Sequence, residues 1–150
     1  MTTTFPTPSP PLTLKGPLFL YDADCGVCTD TVLWLKRRGA GSAITFAPYQ
    51  GQDALLERVR LTGEDCRKAA WLLEPRDKVV RLHRGAAAVN FALSRLTGSG
   101  GLIWRLLASL YPLPLVRQVQ DLTYTWFAQN RHRFSRDGEV CPVDPPGERG

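Results

Sequence analysis

The sequence predicts an α/β sandwich with a small mixed sheet, flanking helices and a C-terminal helical extension. Three observations carry this expectation. Short apolar runs of strand type alternate with segments whose apolar residues recur at helical spacing. Two of those runs, 70–73 and 79–82, are separated by the turn-forming stretch 74–78, the signature of a hairpin. Beyond residue 86 only helical patterning remains. At 150 residues with 43% hydrophobic and 22% charged, the chain suits one ordinary domain with a real core.

Residues 1–16 are rich in Thr and Pro with little to bury, and are expected to be a disordered leader. The domain is expected over 17–136. Leu18-Phe19-Leu20-Tyr21 is continuously apolar, as a strand buried on both faces must be. Asp22-Ala23-Asp24-Cys25-Gly26 turns the chain into a helix over 27–38. Its apolar side includes Val32, Leu33 and Leu35. Its last turn carries Lys36, Arg37 and Arg38, where cations favour the negative end of the helix dipole, and Gly39 stops it. A second strand over 43–47 ends at Pro48, and a short helix spans 51–61 with Leu55, Leu56 and Val59 inward.

Thr62 to Asp65 is expected to be a loop, followed by Cys66 and the two hairpin strands. A helix over 86–96 places Val89, Leu93 and Leu96 on one stripe, and Gly98 to Gly101 breaks the chain. Residues 102–110 are apolar but carry Arg105 and fall short of the roughly 20 residues needed to span a bilayer. The last helix is expected over 115–133, with Val119, Leu122 and Trp126 on its buried side, and 137–150 as a tail. Trp34, Trp71, Trp104 and Phe127 are expected in the core as well. The order of elements is that of the thioredoxin fold with extra helices at its end.

The net charge of +5 and pI of about 9.3 raise the question of an acidic partner. Basic residues are interspersed with Asp and Glu, with no long Lys/Arg run. No basic patch interleaves the tryptophans, as a nucleic-acid stacking platform requires. The expectation is a soluble Arg-rich surface with no nucleic-acid partner and no membrane span. Residues 1–11 have neither a basic nor an apolar signal region, so the expected location is the reducing cytoplasm.

In that compartment a lone Cys-x-x-Cys is more often redox-active or metal-binding than structural. Cys25 and Cys28 lie three apart, a helical spacing that brings two side chains within about 5–6 Å. A helix N-terminus stabilises an anion, so a thiolate forms there more readily and attacks disulfides more readily. Cys25 is expected to be the exposed attacking thiol and Cys28 the resolving one. Gly26 leaves the approach open and Val27 adds a small apolar surface. Asp24 works against a negative sulfur beside it. Asp22 is a candidate proton shuttle, and Asp22 and Asp24 are equally suited to supply turn and N-cap oxygens. Arg131 and Arg133 are candidates for holding a thiol substrate that carries carboxylates, or for capping their own helix.

Three alternatives stand beside this reading. Cys25 and Cys28 are half of a zinc site if Cys66, Cys141, His83 or His132 completes it. Asp22-x-Asp24 after an apolar strand also fits a magnesium-dependent phosphatase with Asp22 as nucleophile. A binding module that keeps the fold without cycling its thiols is the third.

Leu18 to Cys28, reading LFLYDADCGVC, resembles the opening of the DCC family of thiol–disulfide oxidoreductases, with Asp22, Cys25 and Cys28 in its three motif positions. Gly85 and Ala88 are similar to its Gly-x-x-Ala. Tyr124, Trp126, Asn130, Arg131, Arg133 and Phe134 are similar to its late aromatic and basic signature, and Cys141 to its trailing cysteine. The resemblance implies a thioredoxin-like fold and a redox role. It implies a thiol or disulfide substrate, protein or small molecule, an external electron donor, and no cofactor or metal beyond the Cys25–Cys28 disulfide. Thioredoxin itself has a cis-proline before its third strand. The corresponding stretch Arg67-Lys68-Ala69-Ala70 has none, which favours a narrower redox partner over a general protein-disulfide reductase.

Overall fold

The computed structural model describes residues 14–77, 79–130 and 133. The expected leader and tail lie largely outside them. Four strands form one open mixed sheet: β1 (Leu18–Tyr21), β2 (Thr45–Pro48), β3 (Trp71–Arg76) and β4 (Val79–Arg84), in spatial order β2-β1-β3-β4. β1 runs parallel to β2 and antiparallel to β3, and β3 is antiparallel to β4. Among the described residues there are six α-helices, α1 (Gly26–Arg37), α2 (Asp53–Arg58), α3 (Gly63–Lys68), α4 (Ala86–Leu93), α5 (Ser99–Ser109) and α6 (Pro114–Asn130), and a short 3-10 helix (Ala40–Ser42) after α1. This is a thioredoxin-like arrangement.

The two central strands are buried on both faces, so their residues alternate between two cores. Phe19 and Leu72 join Val32 and Leu35 of α1 and Ala88 and Ala92 of α4 on one side. Leu20 and Leu73 join Leu56, Leu61 and Cys66 on the other. Leu20, Leu35, Leu72 and Leu73 are each at most 1% exposed, and each contributes about 2 kcal/mol of burial. Small Ala88 and Ala92, rather than the expected Val89 and Leu93, form the innermost side of α4, which lets its backbone lie close to the sheet. Leu96 is buried beyond the end of that helix.

Several expected boundaries shift for identifiable reasons. Thr62 to Asp65 is no loop. The Thr62 hydroxyl accepts from Asp65 N–H at 3.1 Å while the Asp65 carboxylate accepts from Thr62 N–H at 2.9 Å, a reciprocal capping box that starts α3. The hairpin strands extend until Arg76 pairs with Val79, and Asp77 takes φ 43° in the tight connection. Pro75 is tolerated because β1 pairs with β3 only from Trp71 to Leu73, so its missing N–H leaves no ladder gap there. Gly100 and Gly101 do not break the chain but lie in the first turn of α5. Gly39, at φ 93°, does end α1 as expected.

The largest correction concerns the extension. Val119, Leu122 and Trp126 are 55%, 71% and 56% exposed, not buried. α5 and α6 rest on α4, α6 through the side that carries Gln120, which accepts from the Asn90 side-chain amide of α4. Trp104 lies at the surface, edge-on to half-buried Trp34 at 5.5 Å. Trp71 and Phe127 are also only half-buried.

One tie fixes the extension to the sheet. The Tyr124 hydroxyl of α6 accepts from Ala70 N–H at 2.8 Å, and the Ala70 carbonyl accepts from Gly85 N–H at 2.8 Å. Gly85 has φ 58° and ψ −121°, a conformation essentially confined to glycine. A Cβ there would lie 3.0 Å from the Tyr124 ring. Gly85→Ala is therefore expected to cost about 2 kcal/mol of unfolding free energy. Tyr124→Phe, which strands the Ala70 N–H, should cost about 1 kcal/mol. Urea titrations of both variants check this. Cys66 offers a second test. Burial pushes its thiol up to about 11, with the Asp65 and Asp22 carboxylates adding to the shift. It should resist iodoacetamide at pH about 8 in the folded protein and react promptly once unfolded.

Candidate active site

The site begins where β1 ends. Cys25 is itself the N-cap of α1, with extended backbone at φ −97° and ψ 106°. Its Sγ accepts the Cys28 N–H at 3.3 Å, and its carbonyl accepts the Thr29 N–H at 3.0 Å. The cap is therefore sulfur. Asp22 and Asp24, expected as possible sources of a cap oxygen, do not cap the helix. Capping draws the Cys25 sulfur in over the first turn, which is why Cys25 is only 7% exposed and Cys28 is the more accessible of the two. This reverses the expected exposure.

Asp22 is buried, and its Oδ1 accepts from Asp24 N–H at 3.0 Å and from Gln50 Nε2 at 2.8 Å. The Gln50 amide also reaches Asp24 Oδ2 at 3.3 Å, while its Oε1 accepts from Ala23 N–H at 3.2 Å. One side chain thus pins the whole turn that presents Cys25. The sequence reading did not single out Gln50. Its place follows from the strand order: parallel neighbours end side by side, so a polar residue just beyond β2 falls beside the turn beyond β1. Gly26 is exposed, with open space where a Cβ would stand, and Val27 is half-exposed beside it.

The other ends of the sheet meet the same place. Leu20 of β1 pairs with Trp71, and Trp71 pairs with Arg84, so the start of β3 and the end of β4 lie alongside the Cys25 turn. Arg67, in the last turn of α3, lies within electrostatic reach of Asp22 and hydrogen-bonds Tyr49. Ala70, just before β3, is clamped from two sides by Tyr124 and Gly85.

The candidate zinc ligands do not assemble among the described residues, which contain no group of three or more His, Cys, Asp or Glu side chains placed to hold a metal. Cys66 is in the core. His83 bonds Glu74 at 3.0 Å and packs on Phe91. Burial would raise the Glu74 carboxyl, but hydrogen bonds from His83 and Arg76 outweigh it and hold the group below the usual carboxylate range. Cys141, His132, Phe134 and Arg131 lie outside the described residues. Arg133 is exposed. The Asn130 side-chain amide turns back to the Trp126 carbonyl at 2.7 Å.

The geometry makes sense of the scattered motifs. Asp22, Cys25 and Cys28 form the turn and helix start. Gly85 and Tyr124 form the clamp on Ala70, and Ala88 is fully buried beneath it. No curated protein and no solved structure gives a significant match to the chain. A family model does match, that of the DCC1-like thiol–disulfide oxidoreductases, over residues 19–137. That span takes in every described part of the site, and the chain belongs to the DCC1-like thiol–disulfide oxidoreductase family.

Proposed function

We propose that Cys25 and Cys28 are the working dithiol of a thiol–disulfide oxidoreductase, with Cys25 as nucleophile and Cys28 as resolving thiol. The observation that carries this is the N–H of Cys28 donated to Cys25 Sγ at the start of α1. A hydrogen bond and a helix dipole aimed at one sulfur favour negative charge on it. The partner sulfur stands one turn away, as ring closure needs.

The exchange balances within these groups. The Cys25 thiolate attacks one sulfur of a disulfide. The disulfide bond breaks, and the departing sulfur leaves as a thiolate that takes up a proton. The Cys28 thiolate then attacks the Cys25 sulfur and breaks the mixed disulfide. The second product thiol leaves, also protonated, and the Cys25–Cys28 disulfide remains. Two electrons and two protons pass from the pair to the substrate. An external thiol donor restores the dithiol by the reverse steps, with no metal or further cofactor. Asp22 acts as a positioning residue, held by Asp24 and Gln50, rather than as the proton shuttle. The low exposure of Cys25 favours a substrate that is a small molecule or an extended segment over a flat protein face. No helix among the described residues is long and apolar enough to cross a membrane, and a dithiol kept reduced between turnovers suits a reducing compartment such as the cytoplasm.

Cys25→Ser should abolish disulfide reduction, a loss of at least about a hundredfold, since the thiolate is the nucleophile. Cys28→Ser should instead accumulate mixed disulfides through Cys25, read by intact-mass spectrometry. Equal activity in both variants contradicts the assignment.

A further inference from the structure

Where the segment before β3 meets the end of β4 lies a cleft of about 840 Å³, a volume within the range of small-molecule sites. Its walls come from the end of α3, the junction of β4 with α4, and α6. Four of its lining side chains are cations, Arg67, Lys68, Arg84 and Arg117. Its lining contains a single carboxylate, Asp121, which accepts from the Tyr111 hydroxyl at 2.9 Å and pairs with Arg117 at 3.6 Å. Lys68 pairs with exposed Glu64 at 3.3 Å. Such exposed pairs are weak and readily exchanged for a ligand. Arg84 is carried over the Trp71 ring at 5.9 Å, which orders it. The backbone of Gly85, Ala86 and Ala87 also lines the cleft, and no side chain caps this end of α4. Its helix dipole adds to the positive field.

We infer that this cleft holds the non-reacting part of an anionic low-molecular-weight disulfide, so that the substrate class of the Cys25–Cys28 pair is a small disulfide carrying carboxylates or phosphates. The inference rests on the dithiol reading above and adds the recognition site. The register supports the placement. Arg84 stands two strand spacings from Leu20, about 10 Å, and β1 runs on from Leu20 into the turn that bears Cys25, so cleft and turn open at the same end of the sheet. Arg67 lines the cleft from the end of α3, where Tyr49 and Glu64 act on it first and the Asp22 charge more weakly. Arg133, considered above for this role, is not among the lining residues.

The test is single-turnover oxidation of the fully reduced protein by oxidised glutathione, by coenzyme A disulfide and by neutral hydroxyethyl disulfide. Each rate is divided by that of the same disulfide with free dithiothreitol. At least one anionic disulfide should exceed the neutral one by about tenfold, the effect of one charge-assisted contact. The preference should fall toward unity in Arg84→Gln/Arg117→Gln, and in the unmodified protein at about 0.5 M salt, where exposed charges are screened. Whichever anion reacts faster identifies carboxylate or phosphate as the recognised group. Equal normalised rates for all three disulfides overturn the cleft as the substrate site while leaving the dithiol reading intact. If no disulfide oxidises the pair, the dithiol reading fails, and calorimetry with unreactive S-methylglutathione and with desulfo-coenzyme A decides the cleft alone. Binding of either that weakens in the double variant supports it, and no binding of either overturns it.

Discussion

The position of β1, parallel to one neighbour and antiparallel to the other, is the constraint on which the site depends. A parallel partner brings its C-terminal end alongside, and an antiparallel partner brings its N-terminal end. Around the Cys25 turn this gathers Gln50 from beyond β2, Ala70 from before β3, and Arg84 with Gly85 from the end of β4. None of these residues is near Cys25 in sequence. A slip of one residue in either pairing would exchange the Phe19 and Leu20 faces between the two cores and scatter the set.

The site is assembled from modest interactions with separate tasks. Gln50 and Asp22 fix the turn, Cys25 sulfur caps the helix it opens, and Tyr124 with Gly85 holds the Ala70 segment opposite. The clamp also explains why a helical extension belongs to this domain. Without Tyr124, the Ala70 N–H at the edge of the site would lose its acceptor. The residues that line the neighbouring cleft, Arg117 and Asp121 among them, arrive on the same helix.

Much of this was legible in the sequence, for physical reasons that can be named. The apolar run 18–21 had no polar face, so it had to be a central strand. Gly39 followed a basic last turn and had to end a helix. The Cys-x-x-Cys lay between these two signals, which placed it at a helix start. The capping box at Thr62 and Asp65 was missed because Asp stands where Glu or Gln is usual. The burial of Cys25 was missed because capping is a matter of sulfur orientation, which spacing does not encode. The stripe of Val119, Leu122 and Trp126 has the periodicity of a buried face. Periodicity shows that a face is apolar, and whether a neighbour covers it is decided by tertiary packing. Gln50 and the cleft are products of topology, legible only once the strand order is known.

The central claim is that Cys25 and Cys28 cycle as a two-electron pair. The most direct measurement is a redox titration of the purified, metal-stripped protein in glutathione buffers, with alkylation and mass spectrometry reading each cysteine. The account predicts that the two residues oxidise together, with a midpoint between roughly −120 and −270 mV, while Cys66 stays a thiol. Two thiols that remain reduced across that range, or that become alkylable in untreated protein only when zinc is removed, would contradict it.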